Sequence, residues 1–295
     1  MLSGIGDKAV LSKHSIPILH HLPGVGHNLQ DHPFFAMDWI MAPSFHDRVP
    51  QLTNPDAMSA AQTEFAEKGT GPLKVLFNSM GMGYFRNDKL FSHPSYSELP
   101  KSEQDYLKRP TVPLWEIVTM VPCLNPAQDP NKTYLTILCF LHGVQSKGTI
   151  SLASGDYKDA PLCDPNFLSS PFDRANAIAT ARALRDFVAK TSLQQHVEEP
   201  FNIPAGESDD EILEWCKAVG VATWHPSCTA KMGRKGEEQQ GACTDSSFRV
   251  LGTEGLRVAD MSVSPFMFSC HTQSVAYYIG ASAAEKLVEE YKLNA

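Results

Sequence analysis

The stretches TWHPSCTAKMG (residues 223–233) and SCHTQSVAYYIG (269–280) decide how this chain is read. Each places a histidine at the edge of a regular element. His225 follows a helical pattern that ends at Gly220, and His271 precedes an amphipathic helical pattern over 274–291 with Glu and Lys on its outer face. Side chains at such boundaries can face a cleft. A neutral imidazole can take a proton from an alcohol near neutral pH, because its unperturbed pKa is about 6.5. A second imidazole can hold the same hydroxyl by a hydrogen bond. Spacing alone leaves a plainer reading open, in which both are partly buried histidines bonded to backbone groups.

Between the two stretches, LRVAD (256–260) has the composition of a short buried strand. Ser208-Asp209-Asp210-Glu211 is a capping box for the helix ending at Gly220. Ser170-Pro171-Phe172-Asp173 starts an earlier helix, along which Ile178, Ala181, Arg185 and Val188 recur at helical spacing. LWEIVTMV (114–121), TYLTILCFLHGV (133–144) and GTISLAS (148–154) read as strands. A turn at Ser146-Lys147-Gly148 joins the last two, which favours an antiparallel sheet. FFAMDWIMA (34–42) and LKVLF (73–77) also read as strands. Between them AMSAAQTEFAEK (57–68) is helical and stops at Gly69-Thr70-Gly71-Pro72. Residues 1–31 read as a short helix and loop. There is no internal repeat or low-complexity segment.

With 295 residues, 42% apolar and 20% charged, the chain has the composition of a globular protein with a real core, in one large domain or two ordinary ones. A net charge of −8 argues against nucleic acid and anionic membrane as partners. No segment has the length of an apolar membrane span and no signal peptide is recognised, so a cytoplasmic location is expected if Met1 is the true start. The seven cysteines lack a CxxC pair, which favours buried thiols over disulfides or a cysteine–zinc site. His20, His21, His27 and His32 cluster locally, but the adjacent pair points opposite ways in an extended segment and no H-x-x-x-H occurs, so no metal site is expected. No G-x-S-x-G supports a serine hydrolase. Oligomeric state is not legible.

TWHPSCTAKMG, then FRVLGTEGLRVADMSVSPFMFSCHTQ (248–273), then a closing helix resembles the C-terminal end of the glucose–methanol–choline (GMC) flavin oxidoreductases. SKGTISLASGDYKDAPLCDPNFLSSPFD (146–173) and MLSGIGDKAVLSKHSIPILHHLPGVGHNLQDHP (1–33) resemble further blocks of that family, in its order. Residues 35–135 match weakly. The resemblance implies FAD as cofactor, a small-molecule alcohol as substrate, and oxidation of a primary or secondary alcohol to a carbonyl. It implies His225 as the base on the hydroxyl, His271 as hydrogen-bond partner of the same oxygen, and hydride transfer to flavin N5. Asp260 and Met261 match the stretch along the ribityl chain. Thr272, Gln273 and Ser274 match the helix start beneath the pyrimidine edge, where free N–H groups and the positive helix end stabilise reduced flavin. Asp31 and His32 match the family's NLxDH stretch, expected to be structural or to support the residues around the cofactor. Cys228 and Cys270 adjoin the histidine stretches and are expected to be small buried residues rather than redox groups.

The fold class implied is α/β plus α+β: a partial two-domain GMC fold with an antiparallel substrate-domain sheet flanked by helices. Residues 1–32 are expected to be a remnant of the FAD-binding domain, 33–205 the substrate domain, and 206–295 a return to the FAD-binding domain with the histidine pair. Gly4, Gly6 and Ala9 form G-x-G-x-x-A, but no strand precedes them, so this is not the ADP-binding turn. That unit is not recognised elsewhere in the chain, and Met1 reads as an internal methionine of a longer protein. The alternative reading is a truncated, catalytically inactive paralogue or an incomplete gene model with no redox activity of its own.

Overall fold

The computed structural model describes residues 1–43, 54–74, 81–121, 123–129 and 131–293. In chain order the elements are β1 (Ile5–Gly6), α1 (Lys8–Lys13), β2 (His20–His21), β3 (His27–Leu29), β4 (Pro33–Met41), α2 (Pro55–Lys68), β5 (Met82–Phe85), α3 (Pro94–Ser97), α4 (Lys101–Leu107), β6 (Trp115–Val121), β7 (Thr133–Leu141), β8 (Gly148–Ser151), β9 (Leu162–Asp164), α5 (Pro171–Ala189), β10 (Val197–Asn202), α6 (Asp209–Val219) and α7 (Gln273–Tyr291). They form two compact units. One comprises residues 1–32, 143–173 and 222–295, the other 33–142 and 174–221.

The second unit is built on an antiparallel run of strands in the order β10-β4-β7-β6-β5. Strand β4, PFFAMDWIM, is buried along almost its whole length, as a near-continuous apolar run in a central strand should be. Its one carboxylate, Asp38, lies opposite Thr136 of β7 and accepts from Thr136 Oγ1 at 2.5 Å and from Asn202 Nδ2 at 3.0 Å. Phe35 packs edge-on against Trp215 of α6 at 5.3 Å between centroids. Along α5 the buried stripe is Ala177, Ala181, Leu184 and Val188, one position off the expected Ile178 and Arg185.

Asn54 caps α2 and Gly69, at φ 62°, stops it where the glycine cluster predicts. In α6 the capping box forms: Ser208 Oγ accepts from Glu211 N, and the Glu211 carboxylate accepts from Ser208 N at 3.1 Å. Ser208→Ala is expected to cost about 1 kcal/mol, read as a lower urea midpoint at unchanged slope.

The first unit holds the parallel pair β1–β2 and the antiparallel sheet β3-β8-β9. One apolar cluster is centred on Leu22, Cys243, Val250 and Leu251. Another joins Phe248 and Val263 to Ile279 and Ala283 of α7. In the opening glycine motif, Gly4 sits at φ 81° and any Cβ there would meet the Pro17 carbonyl oxygen at 2.4 Å. Gly4 is therefore needed for a close backbone approach.

Four expectations change. GTISLAS does not pair with the strand before it: β8 pairs with β3 and β9, since the turn after β7 carries the chain into the other unit. LRVAD is not a buried strand; Leu256 is 41% exposed and the pairing there is a single bridge between Arg249 and Arg257. Leu73 and Lys74 lie in a 3-10 turn, while 75–77 lie outside the described residues. Residues 1–31 carry three short strands beside their helix. The compact units also cut the chain differently from the expected division. Residues 143–173 join the N-terminal segment through β3–β8 pairing, and 206–221 stay with the large sheet because α6 packs on β4.

Candidate active site

His225 is placed by an isolated antiparallel bridge between Gln30 and Ser227, whose backbone groups exchange hydrogen bonds in both directions at 3.1 and 2.9 Å. Just before it, Trp224 adopts a left-handed φ of 57° and projects outward. Beyond it, Cys228 N, Ala230 N and Met232 N donate to the carbonyls of Met261, Ser262 and Val263. The TWHP loop is thus tied both to the DH dipeptide and to the turn that leads towards α7.

His32 and His225 meet through their Nδ1 atoms at 3.1 Å, with rings nearly perpendicular and centroids 5.3 Å apart. On its other side His225 meets His271 edge-on, with centroids 5.1 Å apart. The structure therefore brings together the two histidines singled out in the sequence and adds a third. His32 is fully buried, and its Nε2 lies 2.9 Å from the Phe268 carbonyl oxygen.

Thr223 and Asp31 brace the same loop. Thr223 Oγ1 lies 2.9 Å from Asp31 Oδ1, 2.8 Å from the His32 carbonyl oxygen and 3.2 Å from His225 Nδ1. Asp31 Oδ1 also accepts from His225 N at 3.1 Å. Gln30 completes the frame: its Nε2 donates to the Val144 carbonyl and its Oε1 accepts from Met267 N. Thr223 and the Phe268 carbonyl were not singled out in the sequence. The signal available was a threonine two positions before His225; its partners, about 190 residues away, gave none.

Burial raises the Asp31 pKa above the ordinary carboxylate value, against hydrogen bonds from Thr223 and His225 that lower it. The ionised form is therefore less favoured in the folded chain than in the unfolded one. Stability from this group falls as pH rises from about 4 through the folded value. Asp31→Asn keeps an acceptor for both donors and removes that slope, so wild type should lose stability relative to the variant across this window. Urea midpoints measured from acid to neutral pH test the sign; parallel curves would contradict it. Asp31→Ala, which strands the His225 backbone donor and leaves Thr223 Oγ1 only the His32 carbonyl, is expected to cost about 1–3 kcal/mol.

The residues expected along a flavin are arranged unevenly. Asp260 is exposed, and its carboxylate accepts from Ser262 N at 2.8 Å. The Met261 side chain packs against the cluster around Phe248 and Val263, and its carbonyl accepts from Cys228 N at 3.1 Å. Thr272 occupies the N-cap position of α7 without a side-chain cap, and Gln273 and Ser274 are exposed in the first turn. The first N–H groups of a helix have no acceptor within it. An uncapped start two residues from His271 fits the electron-rich edge of a flavin ring. Burial pushes the Cys228 thiol up to about 12, so it is protonated near neutral pH. Among the described residues no group of three His, Cys, Asp or Glu side chains is arranged to hold a metal ion, and no helix is long and apolar enough to cross a membrane.

Residues 144–280 match the family described as GMC oxidoreductase. Over 98% of its length the chain is 31% identical to the glucose methanol choline oxidoreductase atC of Aspergillus terreus, covering 46% of that protein. It is 30% identical to patulin synthase of Penicillium expansum, over 100% of this chain and 46% of that one. The chain thus spans about half the length of the curated relatives it matches. A solved fungal aryl-alcohol oxidase superposes on 99% of this chain and 53% of its own, with a TM-score of 0.77 at 25% identity.

Proposed function

We propose that this chain, whose residues 144–280 carry the C-terminal domain of the GMC oxidoreductases, bears the proton-transfer side of an FAD-dependent alcohol oxidation. The observation that carries this reading is the edge-on contact of the His225 and His271 rings, with centroids 5.1 Å apart, beside the start of α7 that lacks a side-chain cap. His225 is the base that takes the hydroxyl proton of a primary or secondary alcohol. His271 donates a hydrogen bond to the same oxygen and so orients the carbinol carbon. FAD, when bound, supplies the acceptor for the hydride that leaves that carbon. Thr272, Gln273 and Ser274, at the start of α7, would hold the flavin edge through backbone N–H groups, and Asp260 and Met261 would hold its polyol chain. The aryl-alcohol oxidase and the secondary-metabolism relatives support a small-molecule alcohol as substrate. We assign the unit of residues 33–142 and 174–221 to substrate binding, and the unit of residues 1–32, 143–173 and 222–295 to the cofactor side.

The test is to purify the chain with FAD and follow alcohol-dependent reduction of a dye acceptor, using benzyl alcohol and a short aliphatic alcohol as probes. Flavin absorbance carried through purification and dye reduction lost in His225→Ala support the proposal. A chain that keeps no flavin and reduces no dye favours the inactive-paralogue reading instead.

A further inference from the structure

We propose that His32 is a positioning residue that fixes the tautomer of His225, keeping its proton on Nδ1 and its lone pair on Nε2; this rests on the reading of His225 as the base. Three contacts lead there. First, the Phe268 carbonyl oxygen, 2.9 Å from His32 Nε2, has lone pairs and no proton, so Nε2 of His32 must carry the hydrogen. A neutral imidazole carries one N–H, so His32 Nδ1 is an acceptor. Second, His32 Nδ1 lies 3.1 Å from His225 Nδ1, and two lone pairs cannot bond, so His225 Nδ1 is the donor. Third, Thr223 Oγ1, 3.2 Å from the same nitrogen, has a single proton. Asp31 Oδ1 and the His32 carbonyl, both nearer, compete for it as acceptors. Thr223 then turns a lone pair to His225 Nδ1 and agrees with His32.

The consequence is chemical. A base needs its lone pair on the nitrogen that meets the substrate proton, and the His32 contact occupies Nδ1. In the other tautomer Nε2 would present an N–H and act as a donor. The backbone carbonyl of Phe268, held in the segment that leads to His271, therefore decides through His32 which nitrogen of His225 accepts.

The test uses the full chain labelled with ¹⁵N-histidine, with long-range proton–nitrogen spectra recorded above the imidazole titration range. His225 is assigned by loss of its signals in His225→Gln. The expected result is an N–H-type Nδ1 and a lone-pair-type Nε2 for His225. His32→Phe, which removes the acceptor, should shift His225 towards the Nε2–H form. His32→Gln should preserve the wild-type pattern, because its amide NH₂ can donate to Phe268 O and its oxygen can accept from His225. An Nε2–H form in the wild type, or no change in a folded His32→Phe, overturns the proposal. If His32→Phe does not fold, the wild-type tautomer and the His32→Gln spectrum still decide. In the FAD-loaded protein with benzyl alcohol, His32→Phe should lower kcat by about 10²-fold or more at little change in KM, with His32→Gln within about tenfold. Loss of wild-type activity to no greater extent in His225→Ala than in a surface variant would sink the base assignment, whatever the spectra show.

Discussion

His225→Ala is expected to lower the rate of alcohol-dependent flavin reduction by about 10²–10⁴-fold, the range that a positioned general base contributes. The loss should fall on kcat more than on KM, because proton removal is needed in the transition state and little in the ground state. His271→Ala should cost less, and His271→Asn least, since an amide still donates a hydrogen bond to the substrate oxygen. The measurement is anaerobic stopped-flow reduction of the bound flavin, compared at saturating alcohol. The assignment fails if His225→Ala stays within tenfold of wild type, or if its loss lies wholly in KM. The loop geometry gives a reason for confining the change to the ring. Asp31 holds His225 through its backbone N–H, so alanine keeps that bond and leaves the frame standing.

Gly26→Ala is expected to destabilise the chain by about 2–5 kcal/mol, combining a left-handed backbone with overpacking. Gly26 sits at φ 82°, and a Cβ there would lie 2.2 Å from the Ile150 carbonyl oxygen and 2.3 Å from the Met1 side chain. Methionine can swing away, but the Ile150 backbone is held in β8. Gly26 is also where three segments meet: its N–H donates to Thr229 O at 2.8 Å, and its carbonyl accepts from Ile150 N at 2.7 Å. Moving it disturbs the loop just after His225 and the strand that leads to His32 together. Urea unfolding should show a lower midpoint, and the His225 signals should change in any fraction that folds. A midpoint within experimental error of wild type would contradict the close approach.

Much of this was legible locally. The capping box at Ser208, the stop at Gly69 and the long apolar strand from Pro33 follow from interactions within a few residues, which sequence displays directly. His225 and His271 were legible as candidates because each sits in a distinctive local stretch beside a helix end. The partner of β8 was not. Its neighbours along the chain suggested a hairpin with β7, while its partners are β9 and β3, the latter more than a hundred residues earlier. Strand pairing is settled by which apolar faces can be buried together, and many partners satisfy the same short pattern.

The site divides along the same line. Residue chemistry and local patterning alone determined that two imidazoles, a capped helical frame and an amphipathic closing helix were available. Only the folded chain decided that His32, read as a supporting residue, would touch His225 across 193 positions, and that Thr223 and Asp31 would close around both. The physical reason lies in the proton. An imidazole has two nearly equivalent places for it, and the neighbours that choose between them are brought there by backbone carbonyls and buried acceptors. Thr223 aside, their positions are properties of the packing, and the residues beside His225 do not show them.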